Sequence, residues 1–237
     1  MALQAAAVAF LGASSLILGA LIALTGRLTG RPLSLLIAFG SGALVSAVAY
    51  DLVEEAVNVS ATGLWVGAGF AAGALTYFVG DELIDRLPGG QAMESGGGLA
   101  ILLGAVLDGI PESIVLGLTL GTGGPIAAIL VAIFISNVPE SVAGSTKMLA
   151  GGRRPRWVVG VWVSVAVVSA VAAGFGASVL ADAPGDVIAF IDAFAAGAIL
   201  VLLADDLLPE AHGESDKVVG LATALGFAVA AVLSFSS

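Results

Sequence analysis

The chain has 237 residues, of which 59% are hydrophobic and 11% charged, against about 25% charged in an average soluble domain. A mean hydropathy of +1.09 speaks against a water-soluble globular fold, and a net charge of -10 against a nucleic-acid surface; the acidic balance fits cationic partners or a salt-adapted host equally. No cysteine is present, which removes disulfides and thiolate metal ligands.

Eight apolar runs follow one another at 5–25, 32–52, 64–83, 98–120, 125–149, 157–181, 187–208 and 218–236. Each is near the ~20 residues that cross a hydrocarbon core. Gly, Pro and charged stretches such as "TGRLTGRP", "GTGGP" and "AGGRRPRW" separate them. The first run has no basic leader and is too long for a secretory h-region, so it reads as a span. The expected fold is one all-α polytopic membrane domain over 1–237, with the 33 glycines allowing close helix packing.

All eight basic residues fall between odd and even runs: Arg27 and Arg31 after the first, Arg86 after the third, Lys147, Arg153, Arg154 and Arg156 after the fifth, Lys217 after the seventh. By the positive-inside rule these loops are cytoplasmic and both termini lie outside. Trp65, Trp157 and Trp162 near helix starts read as interface anchors. Asp81, Glu82 and Asp85 beside Arg86 read as interfacial charges.

Internal symmetry adds to this plan. "AFGSGALVSAVAYDLVEEA" (38–56) and "AFAAGAILVLLADDLLPEA" (193–211) match at 9 of 19 positions without a gap, pairing Asp51 with Asp206 and Glu55 with Glu210. The two segments lie on helices two and seven, which cross in opposite directions. "DGIPES" (108–113) and "SNVPES" (136–141) form a second pair on the antiparallel helices four and five. Antiparallel matches of this kind mark the inverted repeats of secondary transporters, whose sites lie near the midplane.

Asp108 and Asn137 fall at the centres of their helices. Glu112, at i+4 from Asp108, and Glu140, at i+3 from Asn137, share their faces. An ionised carboxylate at this depth costs about 2.5–3.5 kcal/mol, and three cost roughly 9 kcal/mol, so they must be protonated, face water or hold a cation. Pro111 and Pro139 each free a backbone carbonyl one turn before the glutamate. Carbonyls, carboxylates and an amide oxygen suit a hard divalent cation; the alternative is a proton-sharing acid pair that locks two kinked helices.

These motifs resemble the ZIP (Zrt- and Irt-like) family of divalent metal transporters, which writes His-Asn-x-Pro-Glu-Gly on its fourth helix and His/Gln-Glu/Asp-x-Pro-Glu-Gly on its fifth. "ADDLLPEAHG" (204–213) is similar to the family's seventh-helix ending. By position, Asp108 replaces the fourth-helix His, Glu112 and Glu140 match the glutamate pair, and Asn137 replaces the fifth-helix acid. Gly109 and Ser136 depart from the pattern and thin the two-metal centre toward one site of Asp108, Glu112, Asn137 and Glu140. The loop "PGGQAMESGGG", often His-rich in the family, has no His. Without imidazole or thiolate in the membrane, Mn2+, Fe2+ or Mg2+ gain over Zn2+, which carboxylates also bind.

The resemblance implies a divalent cation (Zn2+, Mn2+ or Fe2+) as substrate, no organic cofactor, no enzyme activity, a homodimer, and the plasma membrane of a prokaryote. It also implies a 3+2+3 arrangement of inverted repeats, with helices one, four, five and six moving against two, three, seven and eight.

Further acids flank this centre. Asp51, with Glu54 and Glu55, closes helix two on the outer side, as a cation entrance or as solvated charges. Asp205, Asp206 and Glu210 form an exit relay near His212, itself read as a solvated loop residue; Ser136 is a weaker pathway residue. Asp192 has no assigned role. An aspartyl protease built on Asp51 and Asp81 is excluded because their depths differ by roughly 20 Å. A non-transporting metal sensor or scaffold, or a proton-coupled carrier of another solute, are the rival functions.

Overall fold

The computed structural model describes residues 1–86, 95–122, 126–212 and 217–235. Residues 125 and 236, expected to bound helices five and eight, lie outside these, as does most of the His-free loop. Among the described residues there are eight apolar helices and no strand: α1 (Ala2–Leu24), α2 (Arg31–Val59), α3 (Gly63–Asp85), α4 (Ser95–Thr122), α5 (Ile126–Ala150), α6 (Pro155–Val179), α7 (Gly185–His212) and α8 (Val218–Ser234). The first seven are long and apolar enough to span a bilayer, while α8 has 17 residues. This is a helical membrane protein. Its exposed large side chains recur along one face, as with Val167, Val171 and Phe175 on α6 or Leu221, Leu225 and Val232 on α8, which is where acyl chains replace water.

Helices two and seven run past the ends read from hydropathy, to Val59 and His212. Hydropathy stops at the acidic turns, but the backbone there continues as π-helix, at Ala47–Glu54 in α2 and Leu203–Leu207 in α7. Asp51 therefore lies two turns inside α2 rather than at its end. Single π turns inside α-helices are frequent at functional sites. Pro111 and Pro139 sit inside α4 and α5, which both continue through them.

Local chemistry fixes the ends. After α5, Gly152 takes φ +82, and the Arg153 N–H donates to Met148 O at 3.0 Å, a Schellman stop that a left-handed glycine permits. Pro155 then opens α6, where its missing N–H costs nothing. At the other end, Asp186 Oδ1 accepts from Ser60 Oγ (2.9 Å) and Ala61 N–H (3.0 Å), tying the α2–α3 turn to α7.

The buried side chains sort into two bodies. One core, including Ile37, Leu44, Leu52, Leu202, Leu203 and Val219, joins α2, α3, α7 and α8, and takes in the buried Ile101 of α4 and Ala143 of α5. A second (Leu16, Ala105, Met148, Trp162, Val165) and a third (Ala5, Leu116, Ile133, Ala173) draw only on α1, α4, α5 and α6. Trp162 corrects its expected role: it is fully buried, donating from Nε1 to Ser145 Oγ at 2.8 Å. Position near a helix start was a poor guide because α6 packs on α1 and α4 there. Trp65 and Trp157 are exposed.

Glycines set the closest approaches within the first body. A Cβ on Gly42 or Gly226 would run into the Thr223 or Phe39 carbonyl, and one on Gly197 or Gly73 into the Phe70 or Phe194 carbonyl. The α2–α8 clasp thus repeats as an α7–α3 clasp, with Phe39 and Gly42 each 155 residues from Phe194 and Gly197. Gly226→Leu should lower the apparent melting temperature in detergent, read by tryptophan fluorescence, with an overpacking cost of about 1–3 kcal/mol. Gly220→Leu, where nothing lies within 4 Å, should leave it unchanged.

Candidate functional site

Between the two bodies a cavity of about 340 Å³ opens at the end where α2, α4 and α8 finish. Its walls carry Asp51 and Glu55 from α2, Asp108 and Glu112 from α4, and Ser234 from α8. A spacing of one α-helical turn brings Asp108 and Glu112 to the same wall. The π stretch of α2 delivers Asp51 to the facing one, with the Ser234 hydroxyl in hydrogen-bonding reach of its carboxylate.

Behind this wall lies the α5 motif. Ser136, Asn137 and Glu140 are buried, at 5%, 6% and 2% exposure. Both Glu140 oxygens lack a hydrogen-bond partner. Glu112 is within electrostatic reach of Asp108, Asp51 and Glu140, and Glu140 within reach of Asp108. The structure therefore brings the three expected carboxylates into one neighbourhood. Ser136 points elsewhere: its hydroxyl donates to the Ala132 and Ile133 carbonyls of its own helix, at 3.3 and 3.2 Å. Gly40 admits the Pro139 ring against α2, where a Cβ would collide with it. Among the described residues, no three His, Cys, Asp or Glu side chains are arranged as a group that could hold a metal ion. The carboxylates are electrostatic neighbours, not a closed coordination shell.

At the opposite end, Asp205, Asp206 and Glu210 share a second cavity of about 390 Å³ with Lys147 and the start of α2. Here the bodies are joined. Lys147 Nζ of α5 lies 2.9 Å from Glu210 Oε2 of α7, both largely shielded from solvent. Tyr77 of α3 donates its hydroxyl to Asp206 Oδ2 at 2.5 Å and lies 3.2 Å from Ala100 O of α4. His212 is exposed and sits 2.9 Å from the Leu208 carbonyl of its own helix; it takes no part in this cluster. Arg86 pairs with Glu82 at 2.7 Å on the surface.

Two participants were not read from the sequence. Tyr77 looked like one more apolar residue of helix three, and nothing in its local pattern signals a partner 129 positions away. Asp192 of α7 is fully buried with both oxygens unpartnered. Its signal was present, a lone acid inside an apolar run, but it stands outside both repeated motifs. No protein-family model matches the chain, and no curated protein matches it.

Removing the Tyr77 hydroxyl strands a buried acid. Tyr77→Phe should cost about 1–3 kcal/mol of stability, and Asp206→Asn a comparable amount. The double variant should cost less than the two together, because the pair is one interaction; thermal melts of the four proteins check this.

Proposed function

We propose that the chain carries divalent metal cations across a membrane by alternating access, as the resemblance of its Pro-Glu motifs to the ZIP family implies. The observation that carries this reading is the cavity in which Asp108 and Glu112, from one four-helix body, face Asp51 and Glu55 from the other. Glu140 of α5 adds a further carboxylate within electrostatic reach of Glu112. A cation among these oxygens meets hard ligands of the kind Mn2+, Fe2+ or Zn2+ accept. It also neutralises acids that otherwise weigh on the fold.

The inverted repeat belongs to the same proposal, and three observations support it. Shifted by 155 residues, the π turn of α7 falls inside that of α2. The glycine clasps of α2 on α8 and α7 on α3 correspond. The packing of α1 on α5 has its counterpart in α6 on α4, and that of α2 on α5 in α7 on α4. Counting α8 as an eighth crossing follows from its position: it starts beside Lys217 and ends with Leu233 and Ser234 in the opposite cavity. Both termini then lie on the outer side, and a homodimer is part of the same reading.

Transport needs the bodies to move relative to each other. Two cores draw on α1, α4, α5 and α6 alone, and a third on α2, α3, α7 and α8 with Ile101 of α4 and Ala143 of α5; each acid cavity lies between the two sets of helices. Lys147–Glu210 and Tyr77–Asp206 cross-link the bodies at the inner end, beside a cavity of about 390 Å³. On this reading they are the contacts that must break for that end to open.

Uptake into proteoliposomes under a Mn2+, Fe2+, Zn2+ or Cd2+ gradient tests the function. Wild type should accumulate at least one of these, and Glu112→Ala and Glu140→Ala should each lose most of the flux, about tenfold or more for loss of a charged ligand. Equal flux in all three defeats the proposal. Because the chain lacks cysteine, single replacements report sidedness: Ala61→Cys should react with an impermeant maleimide from outside intact cells, and Arg154→Cys only after permeabilisation.

A further inference from the structure

A second crevice of about 470 Å³ opens beside the first, between the outer ends of α2 and α7 on one side and α4 and α6 on the other. Its acids are Glu55 and Asp192. Asp192 is 0% exposed and neither of its oxygens has a hydrogen-bond partner. A buried charge in that condition must be met by a cation or lose its charge. No Lys or Arg side chain lines the crevice, since all eight lie toward the other end of the helices; Met1, at the start of α1, does line it. The charged group that acts on Asp192 is another acid, Glu55. The C-terminal end of α6, at Leu180 and Ala181, also lines the crevice, and a helix C-terminus presents carbonyl oxygens and the negative end of its dipole.

We propose that Asp192 and Glu55 form a second, outer binding site for a small hard divalent cation, separate from the Asp108–Glu112–Glu140 centre. Its ligands are the two carboxylates and backbone oxygen. Glu55 also lines the first cavity, so a cation held between Asp192 and Glu55 is one side-chain swing from Asp51 and Asp108. The crevice walls belong to both bodies, so occupancy also binds across the boundary that movement would open. The site's role in feeding the centre rests on the transport reading; its existence as a cation site does not.

Mn2+ binding to the full-length protein in nanodiscs of neutral lipid tests it, with bound ions per chain counted by equilibrium dialysis and free Mn2+ read by electron paramagnetic resonance. Wild type should show a binding step that survives Glu112→Ala and is lost in both Asp192→Asn and Glu55→Gln. In flux, Asp192→Asn should raise the Mn2+ concentration for half-maximal rate about tenfold with the maximal rate kept, the mark of lost uniform binding. Unchanged stoichiometry and affinity in Asp192→Asn overturn the site and make Asp192 a protonated core residue. Should Asp192→Asn fail to fold, Glu55→Gln decides alone, because Glu55 is exposed in the crevice. Absence of flux in wild type with the binding step intact counts against the transport reading and leaves this site standing.

Discussion

Carboxylates without a cationic partner, held within membrane-spanning helices, set the terms for everything else in this molecule. Asp108, Glu140 and Asp192 are buried, while half-buried Glu112 and exposed Asp51 line the cavity between the bodies. The chain's basic residues lie toward the other end, where Lys147, two turns beyond Glu140 on α5, meets Glu210 of α7. Acids of this kind are rare in spans because each costs several kcal/mol at the bilayer centre. On the proposed reading, a cation from solution offsets that cost.

Keeping them demands rigid walls, and small residues supply those. In a bilayer the apolar effect does not drive helices together, so association rests on close contact. Gly42, Gly73, Gly197 and Gly226 let backbones touch across α2–α8 and α3–α7, and Gly117 and Gly176 do the same between α4 and α6. The clasps knit helices within a body. Across the boundary between bodies α2 packs on α5 and α4 on α7, with Gly40 against Pro139 and Gly104 against Leu202, and cavities open at both ends. The acids line those cavities.

How much of this was readable from one-dimensional pattern varies by element. The all-helical plan was legible because hydropathy averages over twenty residues and punctuation such as "AGGRRPRW" is strong. The acids of the site were legible because Asp108, Glu112 and Glu140 stand out in apolar surroundings and recur with proline. The ends of α2 and α7 were not, since a π turn carries no composition signal and the acids within it imitate a terminus. Trp162 was misjudged because burial depends on which helices α6 faces. Tyr77 and Asp192 acquire meaning only through neighbours more than a hundred residues away, which no local spacing encodes.

On the transport reading, the repeat explains how the two ends come to differ. Asp51 and Asp206 are equivalent positions in equivalent π turns, yet their surroundings differ. Asp206 meets the hydroxyl of Tyr77 on α3. The clasp pairing sets Gly73 of α3 against Gly226 of α8, so four residues further along each helix Tyr77 corresponds to Ala230. At the inner end a phenol bonds the acid; at the outer end the position of Ala230 offers no such group, and the Ser234 hydroxyl is the side chain within reach of Asp51 as a donor. Glu210 is likewise held by Lys147, while its counterpart Glu55 faces open space between two crevices. Two copies of one element thus become a gate and a mouth through a handful of side chains, and exchanging which copy is latched requires the bodies to tilt, not to refold.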